Sequence, residues 1–185
     1  MTLTLLRHAE VVPEYHGCYN GHIDIGLSQK GKESAKALAH TMQNMHFDAI
    51  FCSDLLRAKE TLRLLDLPLS PHYSSALREK SWGEYEGKSF QEITATGLSY
   101  ENFTQWIEAL GGESIALFEQ RVLGFFTSTI FTHPAENILI VTHSGVIKTL
   151  LAKRNNISLQ EAFSEPFAYA NYIQIEKESL NLKRV

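Results

Sequence analysis

Two histidines and two arginines stand at or just beyond the ends of short apolar stretches. Arg7 and His8 follow "TLTLL", His143 and Ser144 follow "ILIVT", and Arg57 comes four residues after "IFCS". A guanidinium group offers phosphate oxygens a planar fork of donors and keeps its charge. A neutral imidazole can attack phosphorus as a covalent nucleophile. These residue types together predict a pocket that binds a phosphate dianion and transfers its phosphoryl group.

The leaving oxygen needs a proton, and three glutamates of one irregular stretch are candidates to supply it. Glu79, Glu84 and Glu86 all lie in "LREKSWGEYEG". A carboxyl group beside a bound dianion has the raised proton affinity that a general acid requires. Glu79 is the best candidate, but spacing alone does not choose among the three.

The elements that must position these residues alternate along the chain. "LTLLRH", "FDAIFCS" and "NILIVTH" are typical of buried strands. Amphipathic helices are predicted in "QKGKESAKALAHTMQNM", with Ser28 as its N-cap, and in "DLLRAKETLRLLDL" and "SGVIKTLLAKRNN". Further helices are expected in "FQEITATG", "YENFTQWIEAL" and "GGESIALFEQRVLGFFTSTIF", and the tail from Ala168 is typical of a hairpin with a turn near Glu178.

This alternation predicts the α/β class: a three-layer α/β/α sandwich around a mainly parallel sheet, with one antiparallel edge strand. Such sheets place their sites at the carboxyl ends of the strands. We therefore expect the histidines and arginines to converge at one edge of the sheet. The 185 residues predict a single domain, 1–185, in which an irregular and helical insert at about 80–112 caps the site.

Bulk composition narrows the class of partner. A net charge of −4 argues against a nucleic-acid binder, and the sequence has no run of about 18 apolar residues that would span a membrane. The spacing of Cys18 and Cys52 suits free thiols in a reducing, cytoplasmic compartment. A metal site at His16 and Cys18 is a weak alternative, because no second ligand pair follows. We expect a small phosphorylated substrate and a monomer or homodimer.

Five stretches, in this order, resemble the histidine phosphatase superfamily, the phosphoglycerate-mutase-like group with an Arg-His-Gly motif: "LLRHAE", "YNGHIDIGLSQKGKESAKALA", "IFCSDLLRAKET", "LREKSWGEYEGKSFQEI" and "ILIVTHSGVIK". The resemblance implies that His8 becomes phosphohistidine and that Arg7, Arg57 and His143 bind the phosphoryl group. It implies that Glu79 is the proton donor and that no metal or organic cofactor takes part.

Within the superfamily, three features are similar to the α-ribazole phosphatase branch: the spacing from "RHAE" to "LS", the "GGES" stretch and "PFAYANYIQI". The expected function is hydrolysis of a small phosphorylated metabolite, with α-ribazole 5'-phosphate of cobalamin assembly as the candidate. The alternatives are a phosphoglycerate mutase, a phosphohistidine-protein phosphatase, and a catalytically weakened protein that binds a phosphorylated ligand. Loop 9–27 shows no basic cluster for a second acidic group of the substrate, which argues against the mutase.

Three residues depart from the family pattern. Ala9 replaces the usual Gly, at a cost of up to about 1 kcal/mol if its backbone needs a positive φ. Glu14 stands where many members have Asn, and at close range its carboxylate would repel a phosphate unless it points away or meets a cationic or hydroxyl part of the substrate. Ser144 replaces a common Gly and could add a hydroxyl donor for the phosphate. The candidates for the substrate pocket are Glu14, Tyr19, Asn20 and Gly21.

Specificity is expected in loop 9–27 and in the segment 82–112. Six aromatic residues there could pack against a ring of the substrate or simply under the loops: Tyr15, Tyr19, Trp82, Tyr85, Phe103 and Trp106.

Overall fold

A computed structural model describes residues 1–180 of the chain. Within this range, five strands form one sheet in the order β3-β2-β4-β1-β5. The strands are β1 (Thr2–Arg7), β2 (Ala49–Ser53), β3 (Pro71–Ser74), β4 (Asn137–Thr142) and β5 (Tyr172–Glu176). The pairs β1–β4, β2–β4 and β2–β3 are parallel, and β5 is antiparallel to β1. The predicted mainly parallel sheet with one antiparallel edge strand is confirmed.

Seven helices lie in the described part of the chain: α1 (Gln29–Gln43), α2 (Leu56–Leu65), α3 (Phe90–Thr94), α4 (Phe103–Ala109), α5 (Ile115–Phe125), α6 (Ser144–Asn155) and α7 (Leu159–Ser164). A π-helical turn, Phe126–Ile130, extends α5. Ser28 caps α1 as predicted, because its side chain accepts a hydrogen bond from the backbone N–H of Gly31. None of the helices described within 1–180 is long and apolar enough to cross a membrane.

The sheet is covered on both faces because successive side chains of a strand point to opposite sides. Leu5 of β1 packs in a cluster with Phe118 of α5 and Val146 of α6. Its neighbour Leu6 packs in a second cluster that includes Leu62 of α2 and residues of α1. The two clusters lie on opposite faces and give the predicted three layers.

The end of one helix, the presence of another and the tail differ from the prediction. Helix α2 ends at Leu65 rather than at Leu67, because Asp66 adopts a left-handed conformation with φ 50°. The prediction does not include helix α7, although Ser158 and Glu161 form a capping box, which is typical of a helix start. In the tail, β5 and a 3-10 turn at Lys177–Ser179 are present, while most of the second arm of the predicted hairpin lies outside the described residues.

The segment 82–112 contains its own small apolar cluster. Trp82, Ile93, Trp106 and Leu110 are buried in it, and Trp106 Nε1 donates to the hydroxyl of Tyr19 at 2.7 Å. This bond joins the segment to the loop between β1 and α1. Of the aromatic residues singled out in the sequence, Tyr85, Phe103 and Trp106 also pack in or against this cluster.

Candidate active site

His8 and His143 lie side by side where β1 and β4 end. Arg7 pairs with Thr142 in the parallel register, so the next residue of each chain segment is a histidine, and the two ring centroids are 5.0 Å apart. Nδ1 of His8 lies 2.8 Å from the carbonyl oxygen of Ala9. Because a carbonyl only accepts, Nδ1 carries the proton and Nε2 keeps its lone pair. The free lone pair is what a nucleophilic imidazole needs.

Both rings are neutral at neutral pH. Burial, reinforced by the charges of Arg57 and Arg7, holds the pKa of His8 well below its ordinary value. Burial and the same two arginines, together with His8, lower the pKa of His143 in the same way. The arginines that would bind phosphate oxygens therefore also help to keep the His8 ring unprotonated.

Arg57 is buried in the fold, with 1% of its surface exposed. Its guanidinium donates to the carbonyls of Ile23 (2.8 Å), Gly21 (2.6 Å) and Asn20 (3.1 Å), which fastens the loop before α1 to helix α2. Burial lowers the pKa of Arg57 to about 10, so the group stays charged at pH 7. A charged group this deep is held in place before any substrate arrives.

Arg7 is positioned by the segment that leads into β5. It donates to the carbonyl of Phe167, and its guanidinium carbon lies 3.9 Å from the ring centre of Tyr169. The Tyr169 ring also lies 5.6 Å from the ring of His8. The segment before β5 thus covers the Arg7–His8 corner from one side.

Three buried nitrogen atoms of these residues have no hydrogen-bond partner among residues 1–180: Arg7 Nε, Arg57 Nε and His143 Nδ1. The other nitrogen of His143, Nε2, lies 2.8 Å from the hydroxyl of Ser53. With that hydroxyl as donor, Nδ1 carries the proton of His143. Buried donors normally have acceptors. Three unpaired donors around one nucleophile favour an oxygen-rich anion as the ligand.

Glu79 is separated from its two rivals by its contacts. One carboxylate oxygen accepts from the N–H of Gly145, at the start of α6, at 2.8 Å, and the other accepts from the N–H of Lys80 at 3.0 Å. Glu84 is exposed on a 3-10 turn. Glu86 instead binds four backbone N–H groups, those of Gly21, His22, Ile23 and Trp82. Only Glu79 of the three lines the cavity that contains His8.

That cavity has a volume of about 160 Å³. Its lining combines two of the phosphate-binding candidates, Arg7 and Ser144, with an aromatic rim: Arg7, His8, Cys18, Tyr19, Asn20, Glu79, Trp82, Ser144, Gly145, Phe163 and Tyr169. The other two candidates, Arg57 and His143, are buried and are not part of this lining. Two larger cavities, of about 500 and 730 Å³, contain neither His8 nor Glu79. The smaller cavity is therefore the site at which the predicted chemistry is possible.

The remaining predicted residues fall at different distances from this cavity. Tyr19, Asn20 and Ser144 line it. Gly21 lies behind the lining, where its carbonyl accepts from Arg57 and its N–H donates to Glu86. Glu14 is exposed on a 3-10 turn and is not part of the lining.

Ala9 occupies its position without backbone strain. It is not among the described non-glycine residues with positive φ, its surface is fully buried, and its N–H donates to Thr61 Oγ1 at 2.9 Å. Its methyl group packs with Leu27 and Ala35. The conformational cost considered for an alanine here does not arise.

Sequence reasoning did not identify Phe163, Tyr169, Cys18 and Gly145 as lining residues. Tyr169 belongs to "PFAYANYIQI", a stretch that carried a family resemblance without a role for any of its residues. Phe163 lies on the unpredicted helix α7. One feature of the sequence could have identified Gly145: it follows "THS" directly and so lies in the first turn of α6, the helix that begins at the site.

Comparisons with known proteins agree with this geometry. The sequence model of the histidine phosphatase superfamily, branch 1, matches residues 3–183. The adenosylcobalamin/α-ribazole phosphatase of Salmonella typhimurium is 34% identical over 161 residues, which cover 83% of this chain and 79% of that protein. A 2,3-bisphosphoglycerate-dependent phosphoglycerate mutase 2 of Gloeobacter violaceus is 28% identical, over 96% of this chain and 86% of its own.

Among solved structures, the α-ribazole phosphatase of Shigella flexneri superposes with a TM-score of 0.82 at 29% identity, covering 95% of this chain and 90% of that one. The match of the family model over nearly the whole sequence, together with these relatives, shows that the chain belongs to branch 1 of the histidine phosphatase superfamily and is a phosphatase of that family.

Proposed function

We propose that the protein hydrolyses a small phosphate monoester through a phosphohistidine formed on His8. The observation that carries this proposal is the hydrogen bond from His8 Nδ1 to the carbonyl of Ala9, at 2.8 Å. It leaves the Nε2 lone pair free in a cavity lined by Arg7 and Glu79. A fixed tautomer, a low pKa and neighbouring cations are the conditions for an imidazole that attacks phosphorus.

The reaction has two steps. In the first, His8 Nε2 forms a bond to phosphorus, the ester P–O bond breaks, and Glu79 gives its proton to the leaving oxygen. Arg7, Arg57 and His143 donate to the phosphoryl oxygens and stabilise their charge. In the second, the Glu79 carboxylate takes a proton from water as the water oxygen attacks phosphorus, the P–N bond breaks, and inorganic phosphate leaves.

The rim of the cavity suggests what the leaving alcohol looks like. Tyr19, Trp82, Phe163 and Tyr169 contribute aromatic surface around the phosphate site. Such surface suits an alcohol that carries a ring. We therefore name α-ribazole 5'-phosphate, the compound in the names of the relatives, as the first candidate substrate, and we assign the segment 80–112 as the cap over it. A reducing, cytoplasmic location suits the two free thiols, Cys18 and Cys52.

Hydrolysis is favoured over phosphoglycerate mutation. A mutase must hold a second acidic group of its substrate, and loop 9–27 contains no Lys or Arg. The reading as a weakened binding protein loses its main support, because Ala9 is unstrained and Glu14 lies outside the cavity lining.

The test is a turnover screen over phosphate monoesters that includes α-ribazole 5'-phosphate, 3-phosphoglycerate and 4-nitrophenyl phosphate. We expect His8→Ala to lower turnover by at least about a thousandfold. The matched control is His46→Ala, since the side chain of His46 is 79% exposed, pairs with Asp48 and does not line the cavity. Brief incubation with labelled substrate should leave acid-labile, base-stable phosphate on the wild type. Turnover that survives His8→Ala refutes the mechanism.

A further inference from the structure

Arg121 of α5 forms hydrogen bonds with the backbone of the stretch that contains Glu79. Its Nη1 donates to the carbonyls of Ala76 (2.9 Å) and Arg78 (3.0 Å), and its Nη2 donates to the carbonyl of Glu79 at 3.2 Å. One guanidinium thus binds three of the four carbonyls in residues 76–79. Arg121 does not line the cavity and has no part in the two reaction steps.

The guanidinium is itself fixed by Glu113. Nε of Arg121 donates to one carboxylate oxygen at 2.8 Å and Nη2 donates to the other at 2.6 Å. The side chains of Arg121 and Glu113 are only 22% and 15% exposed. The N–H of Glu113 also donates to the carbonyl of Ser81 at 3.2 Å. A two-pronged pair between charged groups holds orientation as well as distance, so the guanidinium has little freedom to turn.

Two further bonds complete the support of this stretch. The remaining carbonyl, that of Leu77, accepts from the hydroxyl of Thr142 at 2.7 Å. The carbonyl of Glu79 accepts a second bond from His22 Nε2 at 3.0 Å. Residues 78–82, between two 3-10 turns, are in neither a helix nor a strand, and no regular ladder of backbone hydrogen bonds sets their position. Hydrogen bonds from side-chain donors hold the backbone of this stretch in position instead.

We propose that the Glu113–Arg121 pair positions the Glu79 carboxylate for proton donation. Moving a reacting group by about 1 Å can cost about a hundredfold in rate. An irregular stretch that lost three carbonyl partners would move by distances of that order. The inference depends on the proposed role of Glu79 as proton donor, and it assigns Arg121 and Glu113 as positioning residues.

The experiment uses two ring-bearing monoesters whose leaving groups differ in their need for a proton. Nitrophenolate leaves 4-nitrophenyl phosphate without help, whereas benzyl phosphate must release an alkoxide or be protonated. The kcat/KM of each ester reports the steps up to release of the alcohol. We expect Arg121→Met to lower kcat/KM for benzyl phosphate at least about tenfold, with a change of about twofold or less for 4-nitrophenyl phosphate. Glu79→Gln should show the same selectivity, more strongly.

Lys153→Met is the matched control. It breaks the 3.0 Å ion pair between Lys153 of α6 and Glu119 of α5, the helix that also carries Arg121, and this pair does not touch residues 76–79. Both esters should keep their wild-type kcat/KM in this variant. Arg121→Lys should not rescue the benzyl ester, since one ammonium cannot hold three carbonyls and a bidentate carboxylate together. If Arg121→Met does not fold by circular dichroism, Glu113→Gln and Arg121→Lys carry the same test.

Each outcome has a distinct meaning. Selective loss on benzyl phosphate in both Glu79→Gln and Arg121→Met supports the proposal. A second outcome is that Glu79→Gln is selective, but the Arg121 and Glu113 variants lose kcat/KM equally on the two esters or not at all. That outcome overturns the positioning role and leaves the proposed function intact. An absence of selectivity in Glu79→Gln refutes Glu79 as the proton donor and, with it, the positioning role.

Discussion

Replacing Gly145 with alanine should displace Glu79, the proposed proton donor, while leaving the fold intact. A Cβ at residue 145 would overlap a carboxylate oxygen of Glu79 and would lie 2.9 Å from its Cδ. Carbon atoms in contact are normally about 3.5–4.0 Å apart, so the carboxylate must withdraw by about 1 Å and give up its hydrogen bond to the N–H of Gly145. A displacement of this size corresponds to a loss of about a hundredfold for the step that needs the acid.

Stability should not follow activity in this variant. The three nearest atoms to the added Cβ all belong to the end of the flexible Glu79 side chain, and Gly145 lies in the first turn of α6 without a positive φ. Alanine is up to about 1 kcal/mol more favourable than glycine in a helix. The expected thermal midpoint is therefore at or slightly above that of the wild type.

The assay is kcat/KM on benzyl phosphate and 4-nitrophenyl phosphate, together with a thermal melt. Gly124→Ala is the control, because Gly124 also lies in a helix and a Cβ there meets nothing within 4 Å. Gly145→Ala should lose about a hundredfold on the benzyl ester and much less on the nitrophenyl ester. If it keeps benzyl phosphate turnover within about threefold of the control, the carboxylate observed against α6 is not the general acid.

Three further outcomes are expected. The free energy of unfolding should be flat above pH 6.5 and fall below it, because the unfolded chain binds protons that His8 and His143 cannot bind in the fold. The fall should be up to about 1.4 kcal/mol per pH unit for each buried histidine, as measured by urea titrations at pH 7 and pH 5. An equally steep fall of the unfolding free energy in His8→Gln contradicts this prediction. Tyr169→Ala should raise KM about fivefold through loss of the contact with Arg7, whereas Tyr169→Phe keeps the contact and should stay near wild type in steady-state kinetics. Ala9→Gly should lower the free energy of unfolding by about 1 kcal/mol in chemical denaturation and leave kcat/KM within about twofold, since a buried methyl is lost and no strain is relieved; a gain in stability would show that Ala9 is strained.

The convergence of the site could be predicted because it follows from parallel pairing. Once β1 and β4 are neighbours in a parallel sheet, residues that come directly after both strands must meet at one edge, as His8 and His143 do. The same reasoning brings Arg57 close, since β2 is the other neighbour of β4. Strand ends and residue types were sufficient for this part of the site.

Tyr19 and Trp82 of the rim were among the predicted aromatic residues, but the Tyr169 side could not be predicted, because it depends on which strand borders β1 on its other side. Leu6 pairs with Tyr172 in the antiparallel register, and this return brings Phe167 and Tyr169 back to the Arg7–His8 corner. Nothing in the spacing of the sequence specifies that neighbour. The choice among the three glutamates was open for a related reason. It depends on which carboxylate reaches the N-terminus of α6, as Glu79 does, and which one binds the backbone N–H groups of the loop before α1, as Glu86 does.

The arrangement of the cations has a consequence for specificity. Arg57 is desolvated and donates to three backbone carbonyls of its own chain, so hydrogen bonds within the fold offset the cost of burying its charge. In the proposed mechanism, Arg7, Arg57 and His143 recognise only what all monoesters share, the phosphoryl group. Discrimination between alcohols must then come from the aromatic rim, to which Phe163 of α7 belongs. Substitution of Phe163 should therefore change the ranking of substrates in a turnover screen, whereas substitution of Arg57 should depress turnover of all of them together.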